Sequence, residues 1–348
     1  MNILPHSLRD LASRILVAAG ASAEDAELVA GNLVESNLVG HDSHGIIRLP
    51  RYIKAIGAGG IDVNARPRVV TETPGTLVID GGWGFGQRAA TMAMDLAIEK
   101  ARAQGVAGVA VFNCNDIARL GAYTLRAIAH DCIGILTLND GGSNSYVAPW
   151  GGRSALLSTN PISVALPAGD KPPVCTDLAT SVTAGSQVQL AGQRGALLPP
   201  GCIIDADGRP STNPHVLFGA LPGALLPLGA PVAGHKGFGL SLAIDIIAGA
   251  LSGAGCSGSG ERDAQGIFIQ AIDIAAFTPM QEFLERVTQL IETIKATPKA
   301  EGVTEILIPG ERSAREKAAR TAAGIHIEDA TWEAIMEISR EFGLEDNC

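Results

Sequence analysis

Gly84-Phe85-Gly86-Gln87-Arg88-Ala89 is the stretch on which the fold turns. It fits the pattern GxGxxA, follows a run with strand character and opens a run with helix character. That is the context of a dinucleotide fingerprint in a Rossmann fold. The second half of the fingerprint is missing. An acidic residue about 20 residues further on, at the end of the next strand, should take the ribose. Glu99 falls inside the helix instead, and Asp116 comes late. What remains is a glycine-rich strand-to-helix turn whose backbone packs closely against a neighbour.

Working outward, residues 68–73 and 76–80 read as strands, bounded by Pro74-Gly75 and Gly81-Gly82. A helix is expected from about 88 to 104. The apolar runs 106–112 and 133–138 suit buried strands, with a helix over 119–130 between them. Short strands are expected at 161–166 and 174–176, then a surface excursion over 192–229, rich in Gly and Pro. A buried helix over 236–251, a strand over 267–274, a helix over 279–295 with Pro at its start and a short strand at 306–308 follow. Two helices close the chain, the last over 330–342. Upstream, Leu8, Leu11, Ile15 and Leu16 recur at helix spacing. Ser22 and Asp25 form a capping box for a second helix carrying Val29, Leu33 and Leu38. Strands and helices alternate, so the class is α/β or α+β.

The chain has 348 residues, 46% hydrophobic and 18% charged, enough for a substantial core. Its net charge of −10 argues against a broad nucleic-acid surface, and an anionic substrate would need a locally basic pocket. Residues 1–11 lack the charged start and apolar run of a signal peptide. The apolar stretch 240–251 is broken by Asp245 and is too short to span a bilayer, so no membrane partner is expected. The six cysteines are scattered without a CxxC pair, which disfavours a metal or disulfide framework and suits reduced thiols in a cytoplasm.

His41-Asp42-Ser43-His44-Gly45, followed by Arg48, is the densest polar cluster. Reduction of a 2-oxo acid needs a proton donor at the carbonyl, a group to orient that donor and a cation for the carboxylate. His44 suits the first role, because histidine titrates near neutrality. Ser43 can orient or relay, and Arg48 offers a bidentate fork. In a helix, His44 and Arg48 would share a face. A polar helix end with solvated or capping side chains is the alternative, and a metal bound by His41, Asp42 and His44 is a weaker one.

The string Gly40-His41-Asp42-Ser43-His44-Gly45, with Arg48, Pro50 and Tyr52, resembles the signature of the malate/L-lactate dehydrogenase-like family. More matches follow in the same order: Ala148-Pro149-Trp150-Gly151-Gly152 with Thr159-Asn160-Pro161, then Asp177-Leu178-Ala179-Thr180-Ser181, then Gly234-His235-Lys236-Gly237-Phe238-Gly239-Leu240, and Pro309-Gly310-Glu311. The resemblance spans residues 41–315. It implies a non-Rossmann nicotinamide-binding fold, a largely antiparallel sheet flanked by helices, and a homodimer. The expected divisions are a helical N-terminal part over 1–75, a cofactor- and substrate-binding part over 76–300, and C-terminal helices over 301–348 that pack back on the first. Ser43 and His44 would be relay and proton donor, and Arg48 and Thr159 would hold a small anionic substrate. The cofactor, NAD or NADP, would be lined by Asp116, Ile117, Ala118, Arg119 and Leu120, by Asp177, Leu178 and Ala179, by His235 and Lys236, and by Pro309, Gly310 and Glu311. Asp177 as a helix cap and Lys236 as a solvated residue remain the plainer readings.

Two departures stand out. The family usually has His where this chain has Asp116, and commonly a charged residue where it has Gln187. An acid at 116 exchanges a donor for an acceptor and adds negative charge. Near an adenosine ribose it would favour NAD. Gln187 disfavours the imino-acid reductase branch. The expected activity is hydride transfer between a nicotinamide and C2 of a 2-hydroxy or 2-oxo acid. Reduction of cyclic imino acids is the runner-up, and a weakened homologue acting as a binding protein is the third reading.

Overall fold

The N-terminal residues fold locally into helix. In the computed structural model, which describes residues 1–141, 145–219, 221–259 and 264–344, strand β1 (Asn2–Ile3) leads into α1 (Pro5–Ala18) and α2 (Ala23–Leu38). Ser22 caps α2 as expected: its Oγ accepts from the Asp25 backbone N–H at 3.2 Å and donates to the Asp25 carboxylate at 2.7 Å. Leu8, Leu11, Ile15 and Leu16 of α1 bury together with Val29 and Leu33 of α2. After a loop of two short 3-10 turns comes α3 (Leu49–Gly57).

The strands then build one sheet. They are β2 (Arg68–Glu72), β3 (Thr76–Asp80), β4 (Val106–Cys114), β5 (Cys132–Asp140), β6 (Ile162–Leu166) and β7 (Val174–Leu178), joined much later by β11 (Gln265–Asp273). Their spatial order is β2-β3-β4-β11-β5-β6-β7. Every neighbouring pair is antiparallel except β3 and β4. That parallel pair needs a crossover, and α4 (Gly86–Gln104) supplies it. The Rossmann-like stretch therefore opens a genuine strand–helix–strand unit inside a sheet that is otherwise antiparallel.

Two packing features place the site. The buried face of α4 is mostly alanine (Ala89, Ala90, Ala93, Ala97, Ala101, with Met94 and Ile98), so the helix sits close on Leu77, Ile79, Val109, Val111, Ile267 and Ile269 of the sheet. At its start, a Cβ on Gly86 would lie 2.1 Å from the Asn115 carbonyl oxygen and 2.6 Å from that of Asp116. Gly86 is thus required for close backbone approach, and the chain it approaches is the one carrying Asp116. Helix α5 (Gly121–Ile128) follows that chain and packs on β5 and β6.

The remaining elements correct several expectations. Residues 192–229 are more than an excursion. After α6 (Gly185–Gln193), the strands β8 (Ile203–Ile204), β9 (Pro210–Ser211) and β10 (Ala224–Leu225) form a small antiparallel sheet. It buries Leu198, Cys202, Ile203, Leu217 and Leu225, whose two-residue strands are too short to leave a period in the sequence. Helix α7 (Gly234–Asp245), extended by a π turn at Ile246–Ala250, is not the buried helix expected. Leu240, Leu242, Ile246 and Leu251 stand 40–61% exposed. Residues 306–308 form no strand; the ladder contact beside them is the Pro309 carbonyl accepting from Cys175 N–H at 3.0 Å.

Helices α8 (Met280–Ala296), α9 (Glu311–Ala323) and α10 (Asp329–Glu341) close the chain. Between the last two, β12 (Ile325–His326) pairs with β1, and Ile325, Ile327 and Ile335 join the N-terminal core. No helix among the described residues is long and apolar enough to cross a membrane. Cys114, Cys132, Cys175, Cys202 and Cys256 are free thiols, and Cys348 lies outside the described residues.

Candidate active site

The loop from His41 to Arg48 is held from behind by Asn37, near the end of α2. Its Oδ1 accepts from the Ile46 N–H at 2.8 Å and its Nδ2 donates to Asp42 at 2.7 Å. A Cβ on Gly45 would lie 2.2 Å from that Oδ1, so the glycine of the HDSHG string makes room for the clamp. Arg320 of α9 donates to both Asp42 oxygens, at 2.6 and 3.1 Å, and to the Asn37 carbonyl at 2.7 Å. Asp42 is therefore a structural anchor. No cluster of three or more His, Cys, Asp or Glu among the described residues is arranged to hold a metal ion.

The loop is not the helix in which His44 and Arg48 would share a face. It is two 3-10 turns, Asp42–His44 and Ile46–Arg48, broken at Gly45. Arg48 folds back instead, its Nε donating to the Ser43 carbonyl at 3.0 Å. Ser43 Oγ lies 3.0 Å from His44 Nδ1. Burial pushes the His44 pKa well below the ordinary histidine value, and the nearby Arg48, His41 and Arg119 push it the same way. In the free protein at neutral pH this imidazole is uncharged.

Asp116 faces this pair. Its carboxylate accepts from Arg48, from Tyr52 Oη at 3.1 Å and from the Ala118 N–H at 2.6 Å, with Arg51 3.8 Å away. Tyr52 in turn accepts from Gln87 Nε2 at 2.8 Å, so the stretch that decided the fold also braces the site. Ala118 takes a left-handed φ of 60°, which turns the chain under the carboxylate. Ile117 is buried, its N–H donating to Gln265 Oε1 at 3.0 Å.

These groups line a cavity of ≈ 310 Å³. Of the expected residues it brings together Ser43, His44, Arg48, Asp116, Ala118, Leu120 and Thr159. It adds Arg51, Asp140, Tyr146, Ser186 and Gln189, which sequence reasoning did not single out. Arg51, one turn after Arg48, was the one with a readable signal. Gln187, the second departure, is exposed and lies outside the lining.

A second group lies near His41. Arg119 is buried, with its Nη1 4.0 Å from the Asp177 carboxylate. That carboxylate accepts from the Gly121 N–H at 2.7 Å, and Leu178 and Ala179 continue the chain from it. His41 senses the group: burial lowers its pKa, Asp177 raises it, and Arg119 and Arg312 lower it. Pro309 and Gly310 abut β7, where a Cβ on Gly310 would lie 2.3 Å from the Pro173 carbonyl. Glu311 is engaged by Lys295 at 2.8 Å and by the Ile308 N–H at 3.0 Å, and the lysine holds its pKa below the usual range. His235 and Lys236 are exposed on the first turn of α7, away from the cavity lining.

Comparison with known proteins fixes the family. A family model for malate/L-lactate dehydrogenase matches residues 3–336. The chain belongs to that family. It is 38% identical over 340 residues to a malate dehydrogenase of Pyrococcus horikoshii, covering 95% of this chain and 93% of the relative. An L-sulfolactate dehydrogenase of Methanocaldococcus jannaschii is 37% identical over 351 residues, with 99% and 98% covered. Among solved structures, a delta1-piperideine-2-carboxylate reductase from Pseudomonas syringae superposes with a TM-score of 0.85 at 32% identity, covering 97% of this chain and 99% of that one. The chain is therefore an enzyme, a dehydrogenase, and its family implies a nicotinamide cofactor and a small carboxylate substrate.

The residues present fit such a cofactor. Arg119 Nε is buried and finds no hydrogen-bond partner among the described residues. A Cβ on neighbouring Gly121 would lie 2.4 Å from Arg119 Nη1 and 2.9 Å from Asp177 Oδ2, so only glycine lets both charged groups come this close to the start of α5.

Proposed function

We propose that the protein is an NAD- or NADP-dependent oxidoreductase interconverting a small 2-hydroxy acid and its 2-oxo acid. The observation that carries this reading is the Ser43–His44 pair beside Arg48 in one cavity. Arg48 and Thr159 hold the substrate carboxylate. With the Nδ1 proton directed at Ser43 Oγ, the other nitrogen of an uncharged His44 is left to take the hydroxyl proton as a 2-hydroxy acid is oxidised. In reduction, a protonated His44 returns that proton to the carbonyl oxygen. The burial that depresses the His44 pKa makes it a ready base at neutral pH.

The cofactor supplies the hydride acceptor or donor. Asp177, Leu178 and Ala179, with segment 116–120, are the residues proposed to hold it. Lys236, His235 and the Pro309–Gly310–Glu311 turn are proposed at its outer end. The piperideine-carboxylate reductase neighbour keeps the reduction of cyclic imino acids as a second reading, since it too needs a carboxylate clamp and a proton carrier. The exposed apolar face of α7, with Leu240, Leu242, Ile246 and Leu251, supports a homodimer. The free thiols accord with a cytoplasmic location.

The test is loss of NADH and of NADPH absorbance with purified protein, against a panel of 2-oxo acids and cyclic imino acids. Turnover with a 2-oxo acid supports the first reading. Turnover with cyclic imines alone moves the assignment to the second, and oxidation of neither cofactor with any compound refutes both.

A further inference from the structure

We infer that Gln87 and Tyr52, reaching Arg48 through Asp116, are positioning residues for the substrate carboxylate. The glycine-rich stretch that resembles a dinucleotide fingerprint then serves substrate recognition, through its glutamine. The inference rests on the 2-hydroxy/2-oxo acid reading, in which Arg48 holds that carboxylate, and it names what holds the arginine.

The chain of contacts has a fixed sense. Gln87, in the first turn of α4, donates from Nε2 to Tyr52 Oη at 2.8 Å. Tyr52, on α3, directs its one hydroxyl proton at Asp116 Oδ1 at 3.1 Å. The Ala118 N–H reaches the same oxygen at 2.6 Å, and Arg48 Nη1 donates to the other, Oδ2. A guanidinium only donates and an ionised carboxylate only accepts, so the last link cannot reverse. Burial raises the Tyr52 pKa, which keeps its hydroxyl protonated and able to donate. Gln87 and Tyr52 are buried and the Asp116 side chain is 11% exposed, so water competes little for these bonds. Gln87 and Tyr52 do not line the cavity that holds Ser43, His44 and Arg48, so their influence on a substrate there passes through Asp116.

At its far end the chain meets the chemistry. Arg48 is tied a second time, by its Nε to the Ser43 carbonyl at 3.0 Å, and Ser43 Oγ stands 3.0 Å from His44 Nδ1. The guanidinium is thus held at two nitrogens, by α3 and α4 through Asp116 and by the loop that bears the proton carrier. The plane of the fork is set relative to His44 before a carboxylate arrives. An acid beside an arginine could act in the opposite way, by competing with the substrate for it. The two neutral donors on Oδ1 favour positioning, because a carboxylate fixed there does not swing aside to release the arginine. The two roles predict opposite signs.

Tyr52→Phe keeps the ring and removes the hydroxyl, and Gln87→Met keeps the length and removes the donor. Each is compared with the unaltered protein for oxamate binding in saturating NADH by calorimetry, for NADH binding by fluorescence, and for kcat and KM with 2-oxobutyrate. Tyr52→Phe should weaken oxamate binding and raise KM by about tenfold, with a smaller effect on kcat. Gln87→Met should act in the same direction by about threefold, since the Tyr52 hydroxyl still reaches Asp116, and it decides the matter alone should Tyr52→Phe not fold. NADH affinity should change by less than about twofold, and Tyr52→Phe added to Arg48→Lys should lower kcat/KM little further, as expected of residues acting through one another. Unchanged oxamate affinity in both variants overturns the inference. Tighter binding also overturns it, because Asp116 is then a competitor. An equal loss of NADH affinity, or losses that add to that of Arg48→Lys, overturns it as well, because the chain then only braces the fold. All these outcomes leave the oxidoreductase reading intact if the unaltered protein turns over a 2-oxo acid. Weaker oxamate binding in the variants, with no turnover of any acid by the unaltered protein, supports the positioning of Arg48 and refutes that reading. If the unaltered protein does not bind oxamate, the inference falls.

Discussion

Gly86→Ala would test whether the glycine of the GxGxxA stretch serves packing against the active-site segment. The added Cβ would lie 2.1 Å from the Asn115 carbonyl oxygen and 2.6 Å from the Asp116 carbonyl, against ordinary contact from 3.4 Å. Both neighbours are backbone, so no side chain can swing away. Either α4 or the 115–116 chain must retreat by about an ångström. Overpacking of this kind costs about 1–3 kcal/mol, and the better helix propensity of alanine offsets at most about 1 kcal/mol of it. The retreat also moves the carboxylate that holds Arg48, and a misplacement of about 1 Å near the chemistry can cost about 10²-fold in rate. Urea unfolding and kcat/KM, measured together, are the assays. Gly57→Ala, at the end of α3 where a Cβ meets nothing within 4 Å, is the control and should lose neither stability nor activity. An unaltered midpoint and unaltered kcat/KM in Gly86→Ala would refute the reasoning.

Two further outcomes follow from the site itself. Because the His44 pKa is lowered below 6.5, its neutral form persists as pH falls through that value. kcat/KM for 2-hydroxy acid oxidation should therefore stay flat through pH 6.5 and decline only at more acidic pH, while the reductive direction gains towards acid; an oxidative limb that breaks at or above 6.5 contradicts this. Arg48→Lys keeps the charge but loses both the Nε bond to Ser43 and the fork, so kcat/KM should drop by about 10–10²-fold with cofactor affinity unchanged, and equal activity would remove Arg48 from the carboxylate site.

Much of this was legible in the chain. The period of Leu8, Leu11, Ile15 and Leu16 gave α1, the Ser22–Asp25 spacing gave the start of α2, and the apolar runs gave the central strands. Ser43, His44, Arg48 and Thr159 do share one cavity. What escaped depended on distant contacts. Nothing local announces that β11 inserts between β4 and β5, or that two-residue strands β8, β9 and β10 bury a core of their own. The loop at His41–Arg48 is shaped by Asn37 and Arg320, 278 residues from Asp42 in the latter case, rather than by helix propensity. Asp116 was visible as a departure, but its partner Arg48, 68 residues away, was not. The acid that departs from the family pattern is bound to Arg48 in the same cavity.

Hydride transfer is the centre of the account, and isotopic labelling reads it directly. Protein supplied with nicotinamide cofactor deuterated at the transferring position and with 2-oxobutyrate should yield 2-hydroxybutyrate carrying one deuterium at C2. His44→Gln should form that product about 10²–10⁴-fold more slowly without changing where the label sits. Product without deuterium at C2, or no product from either cofactor, would contradict the assignment.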